Sequence, residues 1–183
     1  MKDFYKQYEL VSELRKSGLP KDEVKAFKIL KKLAKKNFLP AVNQCGHCYD
    51  FGIGVEKDAN MAFQLYAKAA EQGYASAQRN MGVCYELGIG VEIDYNEAFK
   101  WYMRASEQGN AKAQNSVGVY YQKGRAVEKD LEKAFFWFSK SATQDYVKAL
   151  RNLAVCYENG YGVEKNLDMA KRYYAKAEAI GKK

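Results

Sequence analysis

Cys45-Gly46-His47-Cys48 sets two thiols either side of the only histidine in a chain of 183 residues. Cys-x-x-Cys spacing suits thiol–disulfide exchange, in which one cysteine attacks and its neighbour resolves. The same three side chains could begin a zinc site, which wants four ligands around one point. Three glycine pairs are the other chemical candidates: Gly52-Ile53-Gly54, Gly88-Ile89-Gly90 and Gly160-Tyr161-Gly162. Glycine-rich turns of this kind can cradle phosphate.

Each chemistry makes demands that the surrounding sequence leaves unmet. An exchange cysteine belongs at a helix N-terminus, where the dipole and free amides lower its pKa. Cys45 and Cys48 instead follow Ala41 and precede the glycines, in mid-helix. The remaining cysteines, Cys84 and Cys156, stand far along the chain, so a fourth zinc ligand is missing. Phosphate loops follow a strand and carry a third glycine or a Lys-Ser/Thr pair, and neither occurs here. One histidine supplies no acid–base pair or triad. The sequence therefore assigns no catalytic residue, no metal ligand and no cofactor, and argues against a redox enzyme.

Self-similarity explains these residues better. A shift of 36 positions superposes Ala41, Ala77, Ala113 and Ala149, and likewise Tyr49, Tyr85, Tyr121 and Tyr157. It also superposes Val55, Val91, Val127 and Val163, and Tyr66, Tyr102, Phe138 and Tyr174. No insertion is needed from Leu39 onward. The tetrapeptide then separates into rows. Cys45 shares a row with Met81, Val117 and Leu153; His47 with Val83, Val119 and Val155; Cys48 with Cys84, Tyr120 and Cys156. Buried free thiols follow from such rows.

Each unit reads as two helices. Ala77, Met81, Gly82 and Tyr85 recur at helical intervals, and Gly88 and Gly90 then turn the chain. Asp94 and Glu97 suit a capping box before Ala98, Phe99, Trp101 and Tyr102. One such hairpin cannot bury both its apolar faces, whereas stacked copies can.

The pattern A-x-A-x-x-N-x-G-x-x-Y-x-x-G-x-G-V-x-x-D-x-x-x-A-x-x-W-Y, from Ala75 to Tyr102, closely resembles the Sel-one-like (SLR) repeat family, relatives of the tetratricopeptide repeat. The resemblance is strong from Leu39 to Gly181 and weak over residues 1–38. It implies an all-α fold: a right-handed α/α superhelical solenoid of about five 36-residue antiparallel helix-pair repeats. The expected units are a divergent repeat at 1–38 and repeats at 39–74, 75–110, 111–146 and 147–183, in a single array. The resemblance implies an adaptor or scaffold, without catalysis. Arg125-Ala126 replaces the second glycine in one unit. Glu9 and Leu10 stand where an apolar residue and glycine are expected, so the first helix is expected to be irregular or shifted by one residue. Regular cysteine pairs are absent, so the disulfide ladder of secreted members is not carried over. Lys171 stands in the row of Phe27, Phe63, Phe99 and Phe135, as if the array finished there.

Composition bounds the partners. At 48% hydrophobic residues the chain is too apolar to be disordered, and no run nears the roughly 20 apolar residues of a membrane helix. The start lacks the apolar core of a secretory leader, so a cytoplasmic or nuclear chain is the default expectation, cytoplasmic first, and a monomer is favoured. Residues 1–38 hold eleven Lys/Arg against five Asp/Glu, which is six of the eight net positive charges. That patch is a solvated helix face, with a basic nucleic-acid or anionic-surface binder as the alternative.

A protein or peptide partner is expected on the inner face lined by first helices. Alignment places Asn43, Arg79, Asn115 and Arg151 there, beside Asn80 and Asn152. His47, Val83, Val119 and Val155 run along the middle, and Lys112 and Lys148 lie outside. Such a face could hydrogen-bond an extended backbone and clamp carboxylates. Asn80 and Asn152, being typical of the family, are expected to bond between repeats ahead of binding a ligand.

Overall fold

The computed structural model describes residues 2–182; Met1 and Lys183, the outer bounds drawn for the array, lie outside it. Among the described residues there are ten α-helices and no strand, so the chain is all-α. In order they are α1 (Lys2–Lys16), α2 (Pro20–Lys35), α3 (Leu39–Phe51), α4 (Ala59–Glu71) and α5 (Ala75–Leu87). There follow α6 (Tyr95–Glu107), α7 (Ala111–Lys123), α8 (Leu131–Ala142), α9 (Val147–Asn159) and α10 (Leu167–Gly181). The first five belong to one compact unit, ending at Asp94, and the last five to a second, beginning at Tyr95.

The glycine pairs are turns. Gly52, Gly88, Gly124 and Gly160 end α3, α5, α7 and α9 in the left-handed conformation. The next N–H, from Ile53, Ile89, Arg125 or Tyr161, returns to the carbonyl of Cys48, Cys84, Tyr120 or Cys156 at 2.9–3.0 Å. That closes the helix end and satisfies carbonyls that would otherwise lack donors. The second helices start on side-chain caps. Asp58, Asp130 and Asn166 accept from the N–H of Met61, Lys133 and Met169 at 2.9, 2.8 and 3.0 Å. Asp94 occupies the same row, and its N–H donates to the Tyr85 carbonyl at 2.9 Å, as Asp58 does to Tyr49 and Asp130 to Tyr121. Glu97, one turn on, pairs with Lys100 at 2.7 Å.

Packing repeats with the sequence. Phe27, Phe63, Phe99 and Phe135 meet Tyr49, Tyr85, Tyr121 and Tyr157 edge to face, with centroids 5.4–5.7 Å apart. Each pair ties a second helix to the first helix of the following repeat. The small row admits rings from the second helix of its own hairpin: a Cβ on Gly46 would meet Tyr66 at 2.8 Å, and one on Gly118 would meet Phe138 at 2.6 Å. Tyr66 and Phe138 are accordingly sealed. Ala154 stands in that row, and its ring, Tyr174, is left half-exposed with its hydroxyl 3.1 Å from Glu158.

Two departures resolve differently. The first helix is a regular α-helix, and Val11 is buried while Glu9 and Leu10 are exposed, so its core face is shifted as one of the two expectations held. Ala126, in place of a second glycine, keeps the glycine's positive φ of 61°.

Candidate partner-binding face

The asparagines face one another. In the first unit, Asn80 on α5 donates from Nδ2 to Oδ1 of Asn43 on α3 at 2.9 Å, and Arg79 donates from Nη1 to Asn80 Oδ1 at 3.0 Å. In the second unit, Asn152 on α9 donates to Asn115 on α7 at 2.9 Å. Asn43 and Asn115 are buried, at 8% and 9% exposure, so their amides clasp neighbouring repeats and are not presented to a ligand. Sequence alignment put both in the groove-facing row and missed this role. The signal available was a Asn-to-Asn interval of 37, one more than the period, at both pairs.

The other residues of the rows sit as follows. Val83, Val119 and Val155 are half-buried along α5, α7 and α9. His47 is half-buried and stacks on Phe51, with centroids 4.6 Å apart. Arg79 is half-buried. Lys112, Lys148 and Arg151 are exposed, and among the described residues none of the three forms an ion pair. Lys148 and Arg151 are one turn apart on α9, and the Asn152–Asn115 bond holds that helix beside the α7 that carries Lys112. The second unit thus presents three cations around a fixed amide pair, with valines one turn farther along.

The thiols offer no comparable chemistry. Cys45 and Cys48 are buried in the interior of α3, away from either end. Burial pushes Cys45 up to about 12, with the neighbouring Cys48 adding to it, and raises Cys48 too. Cys84 is likewise pushed to about 12 and Cys156 to about 11. All four are free, and a buried, protonated thiol is neither nucleophile nor metal ligand at neutral pH. Among the described residues no group of three or more His, Cys, Asp or Glu side chains is placed to hold a metal ion. No described helix is long and apolar enough to cross a membrane.

Elsewhere, the exposed side of α2 carries Lys21, Lys25, Lys28, Lys32 and Lys35 at alternating four- and three-residue intervals. That spacing puts them in one stripe, where among the described residues only Lys25 has an acidic partner, Asp22 at 3.5 Å.

Comparison with known proteins follows the same repeats. The chain resembles a solved Sel1 repeat protein from Oxalobacter formigenes at 35% identity and a TM-score of 0.83, over 96% of this chain and 68% of that one. It also resembles a protective antigen of uropathogenic Escherichia coli strains that displays an SLR fold, at 32% identity and a TM-score of 0.83. That likeness covers 97% of this chain but 38% of the antigen. Cysteine rich protein B of Helicobacter pylori matches at 28% identity and a TM-score of 0.54, over 68% of this chain and 90% of that one. No curated protein matches the sequence at a significant level. The Sel1 repeat itself matches residues 14–38, 39–74, 75–110, 111–146 and 147–181, and the chain belongs to the Sel1 repeat family.

Proposed function

We propose that this chain is a non-enzymatic scaffold whose first-helix face binds an acidic, carboxylate-bearing segment of a partner protein. Sel1 repeat proteins are in general protein-interaction scaffolds. The observation that carries the finer proposal is the exposed trio Lys112, Lys148 and Arg151, without acidic partners, around the Asn115–Asn152 pair. A guanidinium fork and two ammonium groups suit carboxylates, and half-buried Val119 and Val155 suit an apolar side chain beside them. His47, Arg79 and Val83 around the Asn43–Asn80 pair are the corresponding set in the first unit, where Arg79 is already engaged by Asn80. The five repeats act as one monomeric module in the cytoplasm, and four buried free thiols accord with a reducing setting.

Affinity purification with mass spectrometry identifies the partner, and the double variant Arg79→Ala/Arg151→Ala tests the face. Retention should fall, with a further fall on adding Lys112→Ala and Lys148→Ala. Unchanged retention overturns the assignment.

A second reading rests on the α2 lysine stripe, which would bind a polyanion such as nucleic acid or an anionic surface without sequence preference. Binding of that kind weakens steeply as salt rises, so duplex DNA affinity at low and at physiological salt discriminates it.

A further inference from the structure

One row of the repeat has lost its ring and kept its cation. Leu65 shares a row with Trp101, Trp137 and Tyr173, and Lys68 shares one with Arg104, Lys140 and Lys176. In the second unit Arg104 lies over the Trp101 ring at 4.5 Å and Lys140 over the Trp137 ring at 5.1 Å. Such contacts are favourable because the ring face is electron-rich. Lys68 has only Leu65 one turn before it. Cys45 is small as well, in a row otherwise filled by Met81, Val117 and Leu153.

A hollow lies where these short side chains meet. Between α2, α3 and α4 there is a cavity of about 180 Å³, walled by Phe27, Cys45, Tyr49 and Leu65 among other apolar groups. Lys31, Lys35 and Lys68 also line it, and no acidic side chain does. All three ammonium groups are exposed, and none has an ion-pair partner among the described residues. An apolar cavity of about 150 Å³ is enough to admit benzene. The space is large enough for one six-membered ring, and the surrounding charge favours a ring that carries an anion.

We propose that this hollow binds a free aryl carboxylate of the phenylpropionate class, its ring against Leu65 and Cys45 beneath Lys68 and its carboxylate between Lys31 and Lys35. A free acid fits better than a peptide segment. Apart from Lys35 at the end of α2, the wall residues lie inside helices, where their backbone groups are engaged, so little remains to hold a second main chain. The site is separate from the first-helix face and does not depend on the scaffold proposal.

The test titrates 3-phenylpropionate into the full chain, followed by amide chemical shifts and calorimetry, with 2-phenylethylammonium and 3-phenylpropan-1-ol as matched probes. Saturable shifts should concentrate on α2, α3 and α4, with the anion about tenfold tighter than the cation. Lys31→Gln with Lys35→Gln should remove that preference and leave the alcohol unaffected. Leu65→Trp, which restores the ring of the later repeats, should abolish binding without lowering the melting temperature. Should that variant misfold, Cys45→Met, the residue of the next repeat, fills the same space. Equal binding of anion and cation, shifts spread elsewhere, no saturation, or full binding in a folded, filled variant each overturns the proposal.

Discussion

Asn152 gives its amide proton to the Oδ1 of Asn115 at 2.9 Å, and Asn80 gives its own to Asn43 at the same distance. The two ends of each bond differ in burial, and this makes the bond's removal directional. Asn152 is half-exposed, so after Asn115→Ala its amide can turn to water. Asn115 is buried, so after Asn152→Ala its carbonyl oxygen is stranded. Stranding a buried group costs about 1–3 kcal/mol, against about 0.5–1.5 for losing a bond whose survivor is hydrated. Urea unfolding should therefore rank Asn152→Ala below Asn115→Ala. The double variant should show a coupling of at least about 0.5 kcal/mol. Additive losses, or the reverse order, would refute the clasp.

Gly118 is a second test of the interlocking. A methyl group there would press on the Phe138 ring at 2.6 Å and on the Ala134 carbonyl at 3.2 Å. Alanine in a helix normally gains about 1 kcal/mol over glycine. Overpacking a sealed ring costs about 1–3 kcal/mol, so Gly118→Ala should come out destabilising despite the better helix former. A Gly118→Ala protein with raised stability would mean that Phe138 moves freely, contrary to its full burial.

The residues that repeat were the readable ones. The glycine turns, the Phe-to-Tyr pairs and the sealing of Cys45 and Cys48 all follow from constraints imposed several times at one interval, so each copy checks the others. The asparagine clasp was harder because it joins two different rows, Asn43 to Asn80, and depends on how neighbouring first helices are rotated. Period alone does not give that rotation. The choice of Val11 over Leu10 in α1 is likewise a rotation: this helix carries no glycine for a ring to sit on, so it meets α2 through another face. The capture of Arg79 by Asn80 involves adjacent residues, yet only rotamers place them together. The hollow at Leu65 is a missing volume, visible in the sequence only once Trp101 and Trp137 are set beside it.

Ala126 invites a stabilising substitution. Its φ of 61° is left-handed, which costs an L side chain about 1–2 kcal/mol. Glycine removes that strain and returns about 0.4–1 kcal/mol to the unfolded chain as entropy. Ala126→Gly should thus raise stability by roughly 0.5–1 kcal/mol in urea titrations. The reverse change at Gly162 has a different outcome, because its Cβ would overlap the Leu131 carbonyl. Gly162→Ala should lose more than about 1 kcal/mol. Equal and opposite effects at the two positions would show that backbone conformation alone, without the close approach, governs this row.

The buried thiols set an alkaline limit on stability. An unfolded cysteine titrates near 8.5, whereas burial holds Cys45 and Cys84 at about 12 and Cys156 at about 11. Above pH 9 the unfolded chain releases protons that the folded chain retains. Stability fully present below that point is therefore lost as pH rises toward 11–12, by up to about 1.4 kcal/mol per unit for each such thiol. Tyr66, also raised by burial, adds in the same direction at the upper end. The urea midpoint should be level to about pH 8 and fall from pH 9. Cys45→Val, using the residue that Val117 supplies in the same row, should reduce the slope while leaving stability at pH 7 little changed. In parallel, 5,5′-dithiobis(2-nitrobenzoate) should label Cys48, Cys84 and Cys156 no faster than the protein opens, and all four thiols once it is unfolded. A midpoint flat from pH 8 to 10.5, or rapid labelling of Cys48 in the native protein, would place these thiols in contact with water and make the Cys45-Gly46-His47-Cys48 segment a reactive candidate again.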